Sequence, residues 1–136
     1  MTTISVTYPG LPVAIPSVRR LVRDMLAASP RVDDIELIAS ELITNALKHT
    51  AAGSPGGVFT LTIHRGSNWA SIEVTDAGDG FWQHNPDSHK VSNEHGRGLM
   101  IVTALADQFG HDADEYGQTV WAEVSWLGTR RKDSEV

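Results

Sequence analysis

The clearest helix in the sequence lies at residues 33–50, which read DDIELIASELITNALKHT. Its apolar residues recur at steps of three and four, as expected for one face of an amphipathic helix: Ile35, Ile38, Leu42 and Ala46. Asp33 has Glu36 three residues after it, which is the spacing of a reciprocal N-terminal cap. The segment is therefore predicted to be a helix that begins at Asp33 and ends near Thr50.

A polar stripe borders this apolar face. It contains Glu41, Asn45, Lys48 and His49, which lie on one side of a helix because they follow one another at helical spacing. Glu41 and Asn45 adjoin the apolar residues and are therefore placed to face a cleft. Mg²⁺ takes oxygen ligands and shares them with substrate phosphates, and the Asn45 amide supplies one such oxygen. For each residue alone, an ordinary solvated helix face is the alternative interpretation.

Two elements are predicted before this helix. Ile4, Val6 and Tyr8 alternate with polar residues, which indicates a short strand. Helical spacing begins near Ser17 and continues toward Pro30, which ends it.

Strand patterns follow the helix. Residues 59–63 and 70–74 alternate apolar and polar side chains on either side of a Gly66-Ser67-Asn68 turn, which predicts a hairpin with one buried face. Residues 76–98 show no sustained period and are interpreted as a long loop.

The last part of the chain returns to regular patterns. Residues 99–106 have helical spacing, residues 109–111 suit a short strand, and a final strand begins at Gly117. The order of elements predicts an α+β fold, a two-layer α/β sandwich with helices on one face of a mixed, mostly antiparallel sheet.

Two glycine-rich turns accompany these elements. Asp76 and the glycines Gly78 and Gly80 follow a predicted strand, where glycine lets a ligand approach the backbone and a carboxylate can accept a hydrogen bond from an exocyclic amine such as that of adenine. An ordinary turn is the alternative there.

The second turn, Gly96-Arg97-Gly98, opens the helix that starts at Leu99. The free N–H groups at a helix N-terminus bind phosphate, and Arg97 adds a charged donor. A flexible loop end is the alternative interpretation.

Composition limits the function without deciding it. The chain has 136 residues, no cysteine and a formal net charge of −6. These values suit one domain, residues 1–127, followed by a charged tail at 128–136. They exclude disulfides and argue against a general nucleic-acid or membrane surface. No secretory signal or apolar span is visible, so a cytoplasmic location is expected.

The motifs together, from about Ser17 to Trp126, resemble those of the GHKL superfamily of ATPases and kinases, which share the Bergerat ATP-binding fold. Residues 41–50 are similar to the family's N box, residues 76–80 to its first glycine box, residues 96–99 to its second, and residues 117–121 to its closing strand motif. The Ser40-Glu41-Leu42 lead and the closing Thr119-Val120-Trp121 look most like the anti-sigma-factor serine kinases.

The resemblance implies ATP and Mg²⁺ as cofactors. It implies that Glu41 is the general base, that Asn45 is a magnesium ligand and that Asp76 recognises adenine. The nucleotide-binding residues that it implies are Asn45, Lys48, His49, Asp76, Gly78, Gly80, Gly96, Arg97, Gly98, Leu99 and Thr119.

The resemblance also implies a function. The expected activity is that of a serine/threonine protein kinase that acts as an anti-sigma factor and phosphorylates an anti-sigma-factor antagonist. Its partners would be a sigma factor and that antagonist, with no nucleic acid or membrane bound directly, and relatives commonly form homodimers. The alternative is an ATP-binding regulatory module that sequesters a partner without phosphoryl transfer.

Overall fold

The computed structural model describes residues 1–49, 51–76, 100–114 and 117–126. A short 3-10 turn at Ala51–Gly53 and a helix whose described part covers residues 100–105 accompany the longer elements. The bounds of the longer elements are β1 Thr2–Pro9, α1 Ala14–Met25, α2 Val32–His49, β2 Val58–Arg65, β3 Trp69–Asp76, β4 Gln108–Asp114 and β5 Gly117–Ser125. The predicted tail at 128–136 lies outside the described residues.

The strands form one sheet in the order β1-β2-β3-β5-β4. Every pairing between these described strands is antiparallel, so the sheet is not mixed in this part of the chain. The predicted α+β sandwich and the β2–β3 hairpin are confirmed. The short strand expected at 109–111 is longer, because β4 pairs with β5 along its whole length.

The hydrophobic core lies between the helices and one face of the sheet. The sheet contributes every second residue of its central strands, and the helices contribute their apolar stripes, of which Val18, Ile38 and Leu42 are almost fully buried. Burying each such side chain stabilises the fold by about 1.5–3 kcal/mol. The opposite face of the sheet is polar, and hydroxyl pairs such as Thr7–Thr60 (2.8 Å) and Ser5–Thr62 (2.9 Å) join its strands.

The helix starts differ from the predicted ones. The first helix, α1, begins at Ala14 rather than near Ser17, because Pro16 falls in its first turn, where a missing N–H group costs nothing. It ends at Met25, well before Pro30. Asp33 is not the N-cap of α2, since the helix begins at Val32; the Asp33 carboxylate instead accepts a hydrogen bond from Arg23 Nη2 at 2.6 Å.

Arg31, just before α2, connects three parts of the fold. Its Nη2 donates to the backbone carbonyl of Leu105 at 2.7 Å, at the end of the helix 100–105. Its Nη1 donates to the carbonyl of Ser125 at 3.3 Å, and its Nε pairs with Asp34 at 3.1 Å. A helix C-terminus has carbonyls without helical partners, so a cationic side chain there both caps the helix and fixes its position.

Candidate functional site

Several elements end together at one end of the sheet. The first residues of β2 and β5 and the last residue of β3 are neighbours there, because Asp76 is opposite Phe59 on one side and Gln118 on the other. The chain that leaves α2 reaches the same end. Gly10 N donates to the Gly57 carbonyl at 2.9 Å, and a Cβ atom on Gly10 would come within 1.6 Å of the Ala52 carbonyl oxygen. This contact requires glycine and places the C-terminal end of α2 beside that end of the sheet.

Asp76 is the most unusual residue in this region, because it is a carboxylate that is only 1% exposed. It continues the buried alternation of β3 after Ile72 and Val74, so its side chain lies on the face of the sheet that the helices cover. Aspartate is rarely fully buried unless a polar or charged group is matched to it. The burial therefore fits the binding role predicted for Asp76.

Gln118 is a polar residue of the same face that the sequence prediction missed. It is 7% exposed and directly opposite Asp76 in the β3–β5 pairing. Its Oε1 hydrogen-bonds with His111 Nε2 of β4, which donates in the tautomer protonated at that nitrogen. The signal was present in the sequence, because side chains two residues apart in a strand share a face, and Gln118 precedes Val120, Ala122 and Val124 at that spacing.

Thr119 is a described site residue of the sequence prediction whose side chain lies on the face of the sheet opposite to Asp76. It lies on the opposite, polar face of the sheet, where its hydroxyl shares a 3.0 Å hydrogen bond with the hydroxyl of Thr75. The cause is the two-residue period of a strand, which turns adjacent side chains to opposite faces. A contact between the Thr119 side chain and a base held by Asp76 does not follow from this arrangement.

The polar stripe of α2 lies at the border of the core, as the sequence suggested. Glu41 and Asn45 are half-buried one turn apart, and their neighbours Leu42, Ile43 and Ala46 are buried. Lys48 is exposed, and the backbone of His49 forms the last residue of the helix. Two carboxylate oxygens and one amide oxygen are thus available along this edge of α2.

Local hydrogen bonds fix the turn of α2 that carries Glu41 and Asn45. The buried Ser40 hydroxyl donates to the Glu36 carbonyl at 3.0 Å and accepts from Arg19 Nε of α1 at 2.9 Å. Thr44 Oγ1 donates to the Ser40 carbonyl at 2.7 Å. The bond from Arg19 holds α2 against α1 and so fixes the position of the turn that carries Glu41 and Asn45.

The remaining predicted residues, Gly78, Gly80, Gly96, Arg97, Gly98 and Leu99, lie outside the described residues. The structure does describe the residues on either side of this segment. The segment starts directly after the buried Asp76 and returns in the helix 100–105, which Val102 anchors in the core at 0% exposure.

The comparisons with known proteins agree with this architecture. The family model described as a histidine kinase-like ATPase domain matches residues 8–124. The chain belongs to the histidine kinase-like ATPase family. A search of curated proteins found no match. None of the helices in the described part of this ATPase domain is long and apolar enough to span a bilayer.

Solved structures of histidine kinases share the fold. The histidine kinase domain of the blue-light activated histidine kinase from Erythrobacter litoralis EL346 is 18% identical, with a TM-score of 0.55, and the match covers 83% of this chain and 59% of that one. A second structure of the Erythrobacter kinase is 19% identical, with a TM-score of 0.60, and the match covers 88% and 43% of the two chains. The histidine kinase AdeS from Acinetobacter baumannii is 14% identical, with a TM-score of 0.51 and coverage of 92% and 68%. At these identities the likeness shows the fold.

The described side chains have the chemistry that Mg-ATP requires. A buried carboxylate matches an exocyclic amine, and the amide oxygen of Asn45 suits a magnesium ion whose other ligands are phosphate oxygens. Membership of an ATPase family and this donor set together identify the Asp76 end of the sheet and the edge of α2 as the candidate nucleotide site.

Proposed function

We propose that this domain is a Mg-ATP-dependent serine/threonine protein kinase that acts as an anti-sigma factor and phosphorylates an anti-sigma-factor antagonist. The observation that carries the proposal is the burial of Asp76 on the helix-covered face, at the end of the sheet where α2 also ends. The choice of a protein hydroxyl as acceptor is supported by the resemblance of residues 40–42 and 119–121 to the anti-sigma-factor serine kinases. The proposed partners are therefore a sigma factor and the anti-sigma-factor antagonist, and the phosphate acceptor is a serine or threonine of the antagonist.

Three residues have separate roles in the proposed phosphoryl transfer. Asp76 accepts a hydrogen bond from the 6-amino group of adenine and so orients the nucleotide. Asn45 offers its amide oxygen to the magnesium ion, which when bound neutralises phosphate charge. Glu41 lies one turn before Asn45 and is half-buried, and its proposed place is on the acceptor side of the phosphates.

The proposed reaction needs one proton acceptor. The hydroxyl oxygen of the antagonist's serine or threonine forms a bond to the γ-phosphorus of ATP, and the bond from that phosphorus to the β–γ bridging oxygen breaks. Glu41 takes the hydroxyl proton, and ADP leaves. A carboxylate can take this proton, because proton removal is late in a loose transition state.

Replacing Glu41 by glutamine tests the assignment. We expect Glu41→Gln to bind Mg-ATP with unchanged affinity, measured by titration calorimetry, and to lose about 10²–10⁴-fold in the rate of phosphoryl transfer. The rate is measured with γ-labelled ATP and candidate antagonists, followed by mass spectrometry for phosphoserine or phosphothreonine. Glu123→Gln, on the polar face of β5, is the matched control and should transfer phosphate at the wild-type rate.

The outcomes separate the two functions considered from the sequence. A wild-type protein that binds ATP and the sigma factor but labels no antagonist would support a module that sequesters its partner without transfer. A Glu41→Gln variant that transfers phosphate at the wild-type rate would overturn the role of Glu41 alone.

A further inference from the structure

We propose that Gln118 recognises the nucleotide base together with Asp76, by donating a hydrogen bond to N1 of adenine. The proposal rests on the proposed ATP site and deepens it, because it names a residue that decides which base the site prefers. It begins from the pairing of β3 with β5, where Asp76 and Gln118 are directly opposite. Opposite side chains on one face of an antiparallel pair have Cβ atoms about 4.5–5.5 Å apart, so the carboxylate and the carboxamide are neighbours.

Burial keeps the Gln118 amide at the core face of the sheet rather than in open solvent. Its side chain is 7% exposed on the same face as Asp76, which is 1% exposed. A glutamine amide has two N–H donors and a carbonyl acceptor, and the carbonyl of Gln118 is paired with His111. An apolar residue at this position would extend the core that Ala122 and Val124 form on the same strand face.

His111 determines which end of the amide is presented to the site. In the tautomer protonated at Nε2, His111 donates to Oε1 of Gln118. The carbonyl end of the amide is then directed toward β4, so the NH₂ end is directed away from it. The proposal places the NH₂ end on the side of β3, which flanks β5 opposite β4.

The two groups form an acceptor next to a donor, which is the complement of the adenine edge. Adenine offers the 6-amino group as a donor and N1 as the adjacent acceptor, whereas guanine and hypoxanthine offer O6 as an acceptor and N1–H as a donor. With Asp76 at the 6-position and Gln118 at N1, both contacts favour 6-aminopurines, and both oppose 6-oxopurines. N1 lies farther from the ribose than N7, so N1 is the ring nitrogen that reaches the buried face beside Asp76.

The test compares ATP with 1-deaza-ATP, in which a C–H group replaces N1 while the 6-amino group remains. We expect the wild-type protein to bind 1-deaza-ATP about tenfold more weakly than ATP, the effect of one lost hydrogen bond to a buried donor. In Gln118→Leu, ATP binding should weaken by a similar factor, and the two nucleotides should bind within about twofold of each other. Affinities are measured by titration calorimetry, with circular dichroism as the check on folding.

A second Gln118 variant and a control variant accompany this test. Gln118→Glu replaces the donor by an acceptor without changing shape and should also lose the preference, so it serves if the leucine variant does not fold. Glu123→Leu, on the polar face of the same strand, should keep the tenfold preference. Two results would overturn the role of Gln118 without affecting the proposed ATP site. In the first, the wild-type protein binds 7-deaza-ATP, and not 1-deaza-ATP, more weakly than ATP. In the second, both Gln118 variants still bind ATP about tenfold more tightly than 1-deaza-ATP. A wild-type protein that does not bind ATP would overturn both this proposal and the proposed function.

Discussion

At the scale of single residues, Asp76 is the feature that suggests a binding site, because it places a carboxylate on the core face of the sheet. A carboxylate that is 1% exposed on the core face of a strand costs stability unless a matched group satisfies it. Asp76 is the last residue of β3, so its carboxylate lies at the end of the sheet where the apolar alternation of that strand stops.

Exchanging this carboxylate for an amide should weaken nucleotide binding. We expect Asp76→Asn to raise the dissociation constant of ATP by about 10- to 100-fold, because a hydrogen bond to a charged group contributes about 1.5–3 kcal/mol. The measurement is calorimetric titration with ATP, and the matched control is Asp112→Asn on the exposed edge strand β4. An unchanged dissociation constant for Asp76→Asn would show that Asp76 does not contact the nucleotide.

At the scale of elements, the helix 100–105 depends on Arg31 for its position. The guanidinium donates to the carbonyl of Leu105, at the end of this helix, and to the carbonyl of Ser125, at the end of β5. The Arg31 side chain is 26% exposed, so solvent screens these bonds only in part. This helix follows the glycine turn predicted to bind phosphate, so the position of the helix determines where that turn ends.

Removing these bonds should cost stability. We expect Arg31→Ala to lower the free energy of unfolding by about 1.5–3 kcal/mol, because two backbone carbonyls lose a charged donor. Urea unfolding followed by circular dichroism measures it. Arg20→Ala, on the exposed side of α1, should change the same free energy by less than about 0.5 kcal/mol. Equal effects of the two variants would contradict the connecting role of Arg31.

At the scale of the whole molecule, a ligand that binds only the folded domain must stabilise it. Mg-ATP at about 100 times its dissociation constant should add about 2.7 kcal/mol to the free energy of unfolding, which raises the melting temperature by several degrees. The magnesium-dependent part of this shift, measured against the same nucleotide with a chelator, should vanish in Asn45→Ala. Asn68→Ala, in the β2–β3 turn at the far end of the sheet, should retain it. An undiminished magnesium effect in Asn45→Ala would exclude Asn45 as a ligand.

Local patterns in the sequence were enough to predict the elements and part of the candidate site. Apolar spacing along residues 33–50 predicted α2, and it predicted that Glu41 and Asn45 border the core, because helical period alone decides which side chains share a face. Alternation also predicted the β2–β3 hairpin, whose strands are joined by a short turn. Asp76 was recognised because it directly follows such an alternating strand.

Tertiary structure alone decided which strands are neighbours and therefore what surrounds Asp76. Thr75 and Thr119 meet across 44 positions of sequence, and no local pattern states that β5 inserts between β3 and β4. That pairing brought Gln118 to Asp76 and turned Thr119 to the other face, and it brought the end of β5 within reach of Arg31. The physical reason is that the period of a strand fixes the faces of its side chains, whereas the choice of partner strand depends on long-range packing of the completed core.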